Sequence, residues 1–160
     1  MILRQAQDDG SRGLTDAEVA LTRSVFGDAI DTAKVRINNR KWAFFQPRDT
    51  IMAPDGELWL HPKSDLYCSD FCGQSLDRQG LFIHEMVHVW QHQQDIYLPL
   101  ARHPFCRYRY AIKPGQPFRH YGLEQQAEIV RHAFLLKNGR AVPGAPPLST
   151  YDTLVPFKGC

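Results

Sequence analysis

From Leu76 to about Gln94 the chain is apolar at helical spacings, with Leu81, Ile83, Val87 and Trp90 among the apolar positions. Its middle nevertheless reads His84-Glu85-Met86-Val87-His88. The spacing predicts one long helix, and polar groups enclosed in a core must find partners there. Residues four apart stand one above the other on a helix face, so two imidazoles at that spacing can converge on a single divalent ion. Glu85 is turned to the flank of that face, where it reaches a water on such an ion without being a ligand. Zinc lowers the pKa of that water to about 7, and a neighbouring carboxylate can take the proton as the hydroxide attacks a carbonyl. This is the chemistry of peptide-bond hydrolysis without a covalent intermediate. With seven histidines and five glutamates in 160 residues, chance supplies the pattern in roughly one shuffled chain in a hundred. The competing reading is a helix whose histidines face solvent or satisfy core hydrogen bonds.

A catalytic zinc needs a third protein ligand and an open position. The last predicted helix, from about Leu123 to Lys137 and stopped by Asn138-Gly139, carries Glu124 and Glu128 four apart. Glu124 is read as the ligand. Glu128 behind it is the acceptor for a ligand histidine's N–H, the usual way an imidazole is oriented. The swapped assignment stays open, as does the reading of two exposed glutamates on a solvated face. His120 and Tyr121, just before this helix, are candidate donors to a developing oxyanion, with Tyr108 and Tyr110 as rivals. His92 continues the face of His88 as a rim or alternative ligand or as an exposed histidine. His61 and His103 could each reach a cleft.

The remaining elements are shorter. Residues 1–13 are polar and read as a flexible lead-in. Thr15 and Glu18 form a capping box for a helix near 16–26, which Gly27 can stop. Val35 and Ile37 alternate as a short strand. Ala53-Pro54-Asp55-Gly56 is a turn whose proline presets one backbone angle while its glycine accepts the left-handed one, so 50–61 predicts a β-hairpin. Residues 97–120 hold four prolines and many aromatics, an irregular connection of the kind that usually carries function. Residues 140–160, with VPGAPPL, predict an extended arm. With no internal repeat, the chain reads as one small α+β domain over 1–160.

Nineteen Lys and Arg against seventeen Asp and Glu leave a formal charge of +2. That balance does not announce a nucleic-acid or anionic-membrane partner. The one local exception is the loop with Arg102, Phe105, Arg107, Tyr108, Arg109, Tyr110, Lys113, Phe118 and Arg119, whose cations and rings could stack on single-stranded nucleic acid or pack inward. The opening residues lack the apolar core of a signal peptide, and no run approaches the ~20 apolar residues of a spanning helix. Cytoplasm is the default compartment, without excluding export by a machine that reads no such signal. Cys68, Cys72, Cys106 and Cys160 do not make a C-x-x-C zinc site and read as free thiols, with a second metal site or a disulfide as the alternative.

H-E-x-x-H on one helix and E-x-x-A-E at 124–128 on a later one resemble the glutamate-ligand zincins. That resemblance implies Glu124 as the zinc ligand and Glu128 in the supporting position, where an aspartate is more usual. Over most of the chain, FGDAIDTAKVRI, IMAPDGELWLHP, GLFIHEMVHVWQHQ and YLPL…HPFCRY…YGLEQQAEIVRHAFLL are similar to the small metallopeptidase-like domains of Vgr-related proteins and bacterial contractile injection systems. The resemblance implies a bacterial protein, a zincin core, association with a secretion apparatus, and an edge strand at 57–61 that binds a substrate backbone by β-addition. Two readings result. One is a zinc metallopeptidase acting on peptides or proteins, with His84, His88 and Glu124 on the ion and Glu85 as general base. The other is a catalytically silent zinc-binding module serving a secretion system as effector or adaptor.

Overall fold

The computed structural model describes residues 10–96 and 108–159. In chain order the elements are β1 (Ser11–Gly13), α1 (Asp16–Phe26), β2 (Arg36–Asn38), β3 (Leu58–Trp59), α2 (Leu76–Gln93), α3 (Leu123–Lys137) and α4 (Leu148–Leu154), with 3-10 turns at Thr32–Lys34, Phe71–Gly73 and Phe118–His120. The helices and a small sheet of order β1-β2-β3 make an α+β fold, as the sequence predicts.

The capping box at Thr15 forms as expected: Thr15 Oγ1 accepts from the Glu18 N–H at 3.0 Å, and Glu18 Oε1 accepts from the Thr15 N–H at 2.9 Å. Glu18 does more than cap. It is fully buried and takes both arms of the Arg12 guanidinium, at 2.7 and 3.0 Å, while its Oε2 also accepts the Phe71 N–H at 2.9 Å. The buried face of α1 is accordingly Glu18, Thr22 and Phe26, while Ala17 and Ala20 lie outside.

Three expectations need correction. Residues 11–13 belong to the sheet rather than to a lead-in, pairing antiparallel with β2 in the register Arg12↔Ile37. Their polarity concealed this, because β1 is an edge strand whose side chains are held by hydrogen bonds, such as Arg36 Nε to Ser11 Oγ at 2.9 Å. The 50–61 hairpin is reduced to one antiparallel bridge, Met52 to Trp59, and β3 takes its main pairing in parallel with β2. The alternation within 57–61 holds, with Leu58 and Leu60 fully buried. The arm at 140–160 contains α4, a helix too short to persist alone, which is held by the buried Tyr151. Beyond α4 residues 155–159 have no regular secondary structure, and Phe157 packs against Phe26 at 4.8 Å and Trp90 at 4.9 Å between ring centroids.

Helices α2 and α3 pack along each other and form the frame of the molecule. Residues 82–89 of α2 are buried without interruption, so the polar residues among them stand in the core. Gly80 permits the close approach, since a Cβ there would lie 3.1 Å from Leu135 Cδ2 on α3. Phe71 stacks on Phe82 at 5.2 Å beneath this pair. Among the described residues no helix is long and apolar enough to cross a membrane.

Candidate metal centre

Glu124 occupies the first turn of α3, where the partial positive charge of a helix N-terminus favours a carboxylate. Across from it, one turn apart on α2, are His84 and His88. The two oxygens of Glu124 divide between the imidazoles: Oε2 lies 3.2 Å from His84 Nε2 and Oε1 lies 3.1 Å from His88 Nε2. One donor atom from each residue lies within 4.8 Å of the others, and all three side chains are buried. Helical spacing of i, i+4 accounts for the two histidines, and the α2–α3 packing supplies the carboxylate from 40 positions along the chain.

The outer nitrogens show what this group is fitted to hold. His88 Nδ1 is 2.8 Å from Gln91 Oε1, and Gln91 in turn donates from Nε2 to the Leu123 carbonyl at 3.1 Å and to Gln126 Oε1 at 3.0 Å. Those two acceptors fix the glutamine's orientation, so its oxygen faces the ring and His88 Nδ1 carries the proton. His88 Nε2 therefore points a lone pair at a carboxylate oxygen, and it is buried without a hydrogen-bond partner. Two acceptors facing one another in a core are reconciled by a proton or a metal cation between them. His84 differs: its Nδ1 lies 3.8 Å from Glu128 Oε2, beyond hydrogen-bond reach, and both atoms are buried without a hydrogen-bond partner. The chemistry of the donor set, two imidazoles and a carboxylate, suits a divalent zinc ion.

Electrostatics agree with the geometry. Burial opposes a charge on His84, but Glu124, Glu128 and the neighbouring Glu85 outweigh it and hold its pKa up to about 9. Without an ion, a proton on His84 supplies part of the positive charge the pocket favours. Glu128 is pushed up by burial, yet His84, Arg131 and His132 together hold its carboxyl below the usual range. Glu85 is 5% exposed and sits beside His84 on α2. Tyr108 lays its ring against His84, with centroids 5.9 Å apart and planes 20° from parallel, while remaining about half exposed.

The solved effector domain of Pseudomonas aeruginosa VgrG2b superposes on this chain with a TM-score of 0.72 and 35% sequence identity, covering 86% of this chain and 80% of that one. The chain belongs to the family of that effector domain. In sequence it is 39% identical over 138 residues to the type VI secretion system spike protein VgrG2b of Pseudomonas aeruginosa, an alignment that spans 81% of this chain. It spans only 13% of the spike protein's own length. No protein-family model matches the chain.

Within this member of the family the other sequence candidates are placed as follows. Tyr121 is buried and its hydroxyl accepts the Lys113 N–H at 3.0 Å, so that group is engaged in holding the loop. His120 is exposed on the 3-10 turn. Tyr110 shares its hydroxyl with Tyr151 at 2.6 Å and His132 Nδ1 at 2.7 Å, and burial raises its pKa well above the ordinary value. His92 covers the 53–56 turn: Gly56 has φ +86°, and a Cβ there would lie 2.7 Å from the His92 ring. His61 Nδ1 accepts the Lys63 N–H at 3.0 Å. The β3 edge expected to receive a substrate backbone is occupied at Trp59, whose N–H and carbonyl both pair with Met52, at 2.8 and 3.0 Å. Cys68 and Cys72 are free, half-buried thiols. In the basic aromatic loop Phe118 is buried and Tyr110 is tied inward, which favours the packing reading over a stacking platform. Arg102, His103, Phe105, Cys106, Arg107 and Cys160 lie outside the described residues.

Sequence reasoning missed Gln91 and Gln126. A signal for the first was present, since Gln91 is three residues after His88 and therefore on the same helix face.

Proposed function

We propose that this chain is a zinc-dependent peptidase domain of the secretion-effector type. The observation that carries the proposal is the convergence of three buried donors, His84, His88 and Glu124, with His88 turning Nε2 toward Glu124 and Nδ1 to a hydrogen bond with Gln91. An outer partner on Nδ1 is the usual way a ligand imidazole is oriented. His84, His88 and Glu124 would hold the ion. When bound, zinc supplies Lewis acidity, lowering the pKa of a water toward 7 and polarising a carbonyl. Glu85, buried at the same level of α2, takes the proton of the attacking water on a carboxylate oxygen and passes it to the departing amine nitrogen. Gln91 keeps the His88 imidazole in the required orientation, and Glu128 places a carboxylate beside His84. Membership in a family with a type VI spike effector domain supports association with, and export through, a secretion apparatus; the substrate of this reading is a peptide or protein.

The same family membership favours a second reading, a catalytically silent zinc module that serves the apparatus as effector or adaptor. Metal analysis of the protein together with Glu85→Gln separates the two. The expected result is near one zinc per chain in both proteins, with hydrolysis of a peptide library falling roughly 10²–10⁴-fold in the variant. Undiminished cleavage by Glu85→Gln would sink the mechanism; zinc without cleavage in the wild type would leave the silent module.

A further inference from the structure

Beside the metal centre, on the far side of Glu128, lies a cavity of about 840 Å³ between the 108–114 segment, α3 and the 142–151 segment. Its size falls within the roughly 300–1,000 Å³ of small-ligand pockets. Two of its lining residues touch the metal group: Tyr108, whose ring stacks on His84, and Glu128, whose carboxylate lies 3.8 Å from His84 Nδ1. From this geometry we infer that the cavity receives a bulky apolar side chain, preferably aromatic, of a peptide lying across the metal centre. The inference deepens the peptidase reading and rests on it for the peptide class.

The lining explains the preference. Ile112, Val142, Ala145 and the rings of Pro143 and Pro146 supply apolar walls, and Tyr108, Tyr110 and Tyr151 add aromatic faces. Aromatic side chains gain from such faces beyond the area they bury. Several of the polar groups are engaged with one another. The Tyr110 hydroxyl is held by Tyr151 and His132, and Glu128 is flanked by Arg131 at 3.4 Å and His132 at 3.5 Å. A polar side chain entering here would give up hydration for few new bonds. Arg109, exposed at the rim, is the one group that would instead draw an acidic side chain. Prolines at 143, 146 and 147 restrict the backbone of the outer wall, so little ordering is needed on binding.

The test uses the whole chain, zinc-loaded and carrying Glu85→Gln to stop turnover. Its probes are blocked hexapeptides identical except for Phe, Ala or Glu at one position, with binding read by fluorescence anisotropy. The Phe peptide is expected to bind at least about tenfold more tightly than the Ala peptide. Ala145→Trp, which fills the cavity, should erase that advantage at unchanged zinc content and melting temperature. Pro143→Trp, on the exposed wall, serves the same purpose should the first variant fold poorly. Equal binding of Phe and Ala peptides, preference for Glu, no peptide binding, or a Phe advantage that survives both filled variants would each overturn the inference. Wild-type protein that binds the Phe peptide selectively but never cuts it would overturn the peptidase reading and leave the cavity's preference standing.

Discussion

His88 Nδ1 and Gln91 Oε1 are 2.8 Å apart, one helical turn along α2, and the same glutamine fastens that turn to the start of α3 through Leu123 and Gln126. A single side chain thus sets the tautomer of one ligand and the position of the helix that supplies another. Gln91→Ala should therefore lower zinc affinity by about 10–100-fold, the usual effect of removing an outer partner of a ligand histidine. Competition against a chromophoric chelator measures this. Affinity equal to wild type would show that His88 is oriented by packing alone.

The Arg12–Glu18 pair is the next place where one substitution has a large effect. Glu18 is fully buried, and Arg12 supplies its countercharge through two short bonds. Arg12→Ala leaves a buried carboxylate with no cation and should destabilise the fold by about 3–5 kcal/mol. Urea unfolding followed by circular dichroism gives the value. Replacing the pair with apolar residues of similar volume should cost much less, because the penalty comes from the orphaned charge.

In the metal-free protein His84 contributes a pH dependence of definite sign. Its pKa is held up to about 9 in the folded state, against an ordinary value of 6.5. The folded protein thus binds this proton more tightly than the unfolded chain does. The resulting stabilisation, on the order of 3 kcal/mol, is complete below about pH 6.5 and is lost as the pH rises through 9. Thermal melts of chelator-treated protein between pH 6 and 9.5 should show the decline, reduced in His84→Gln. A flat profile for the metal-free wild type would contradict the assigned charge network.

Cys72 should be a sluggish nucleophile although it is only partly buried. Burial and the adjacent Asp70 push its thiol up to about 11. Alkylation needs the thiolate, so at pH 8 its rate should lie roughly 100-fold below that of a small free thiol. Mass spectrometry of timed iodoacetamide reactions checks this, and rapid modification would place Cys72 in a different environment.

The parts of the fold legible in the sequence are those whose signals are local. Both long helices carry many turns of apolar periodicity and end where Ser75, Gln94, Gly122 and Asn138 flank them. Thr15 and Glu18 announced α1 through a four-residue pattern. His84, His88 and Glu124 could be nominated because metal ligation demands those residue types at those spacings, and the fold brings them together. What depended on distant partners stayed hidden. The parallel pairing of Leu58 with Ile37 joins segments with no local mark of each other, and Ser11–Gly13 becomes a strand only because β2 is beside it. Tyr121 looked available in the sequence, and only the path of the preceding loop shows its hydroxyl committed to Lys113.

The three donors come from two helices separated by the whole 94–122 segment, so the candidate centre exists only in the folded chain. A nascent or unfolded chain offers only the local segment around the His84–His88 pair, a weak chelate. Glu124 joins only when α3 has docked on α2, so the free energy of capturing the ion is also free energy of tertiary assembly. The candidate centre would in this sense be a latch: an ion held there would fasten α2 to α3, and its removal would loosen the seam that could bind the next one.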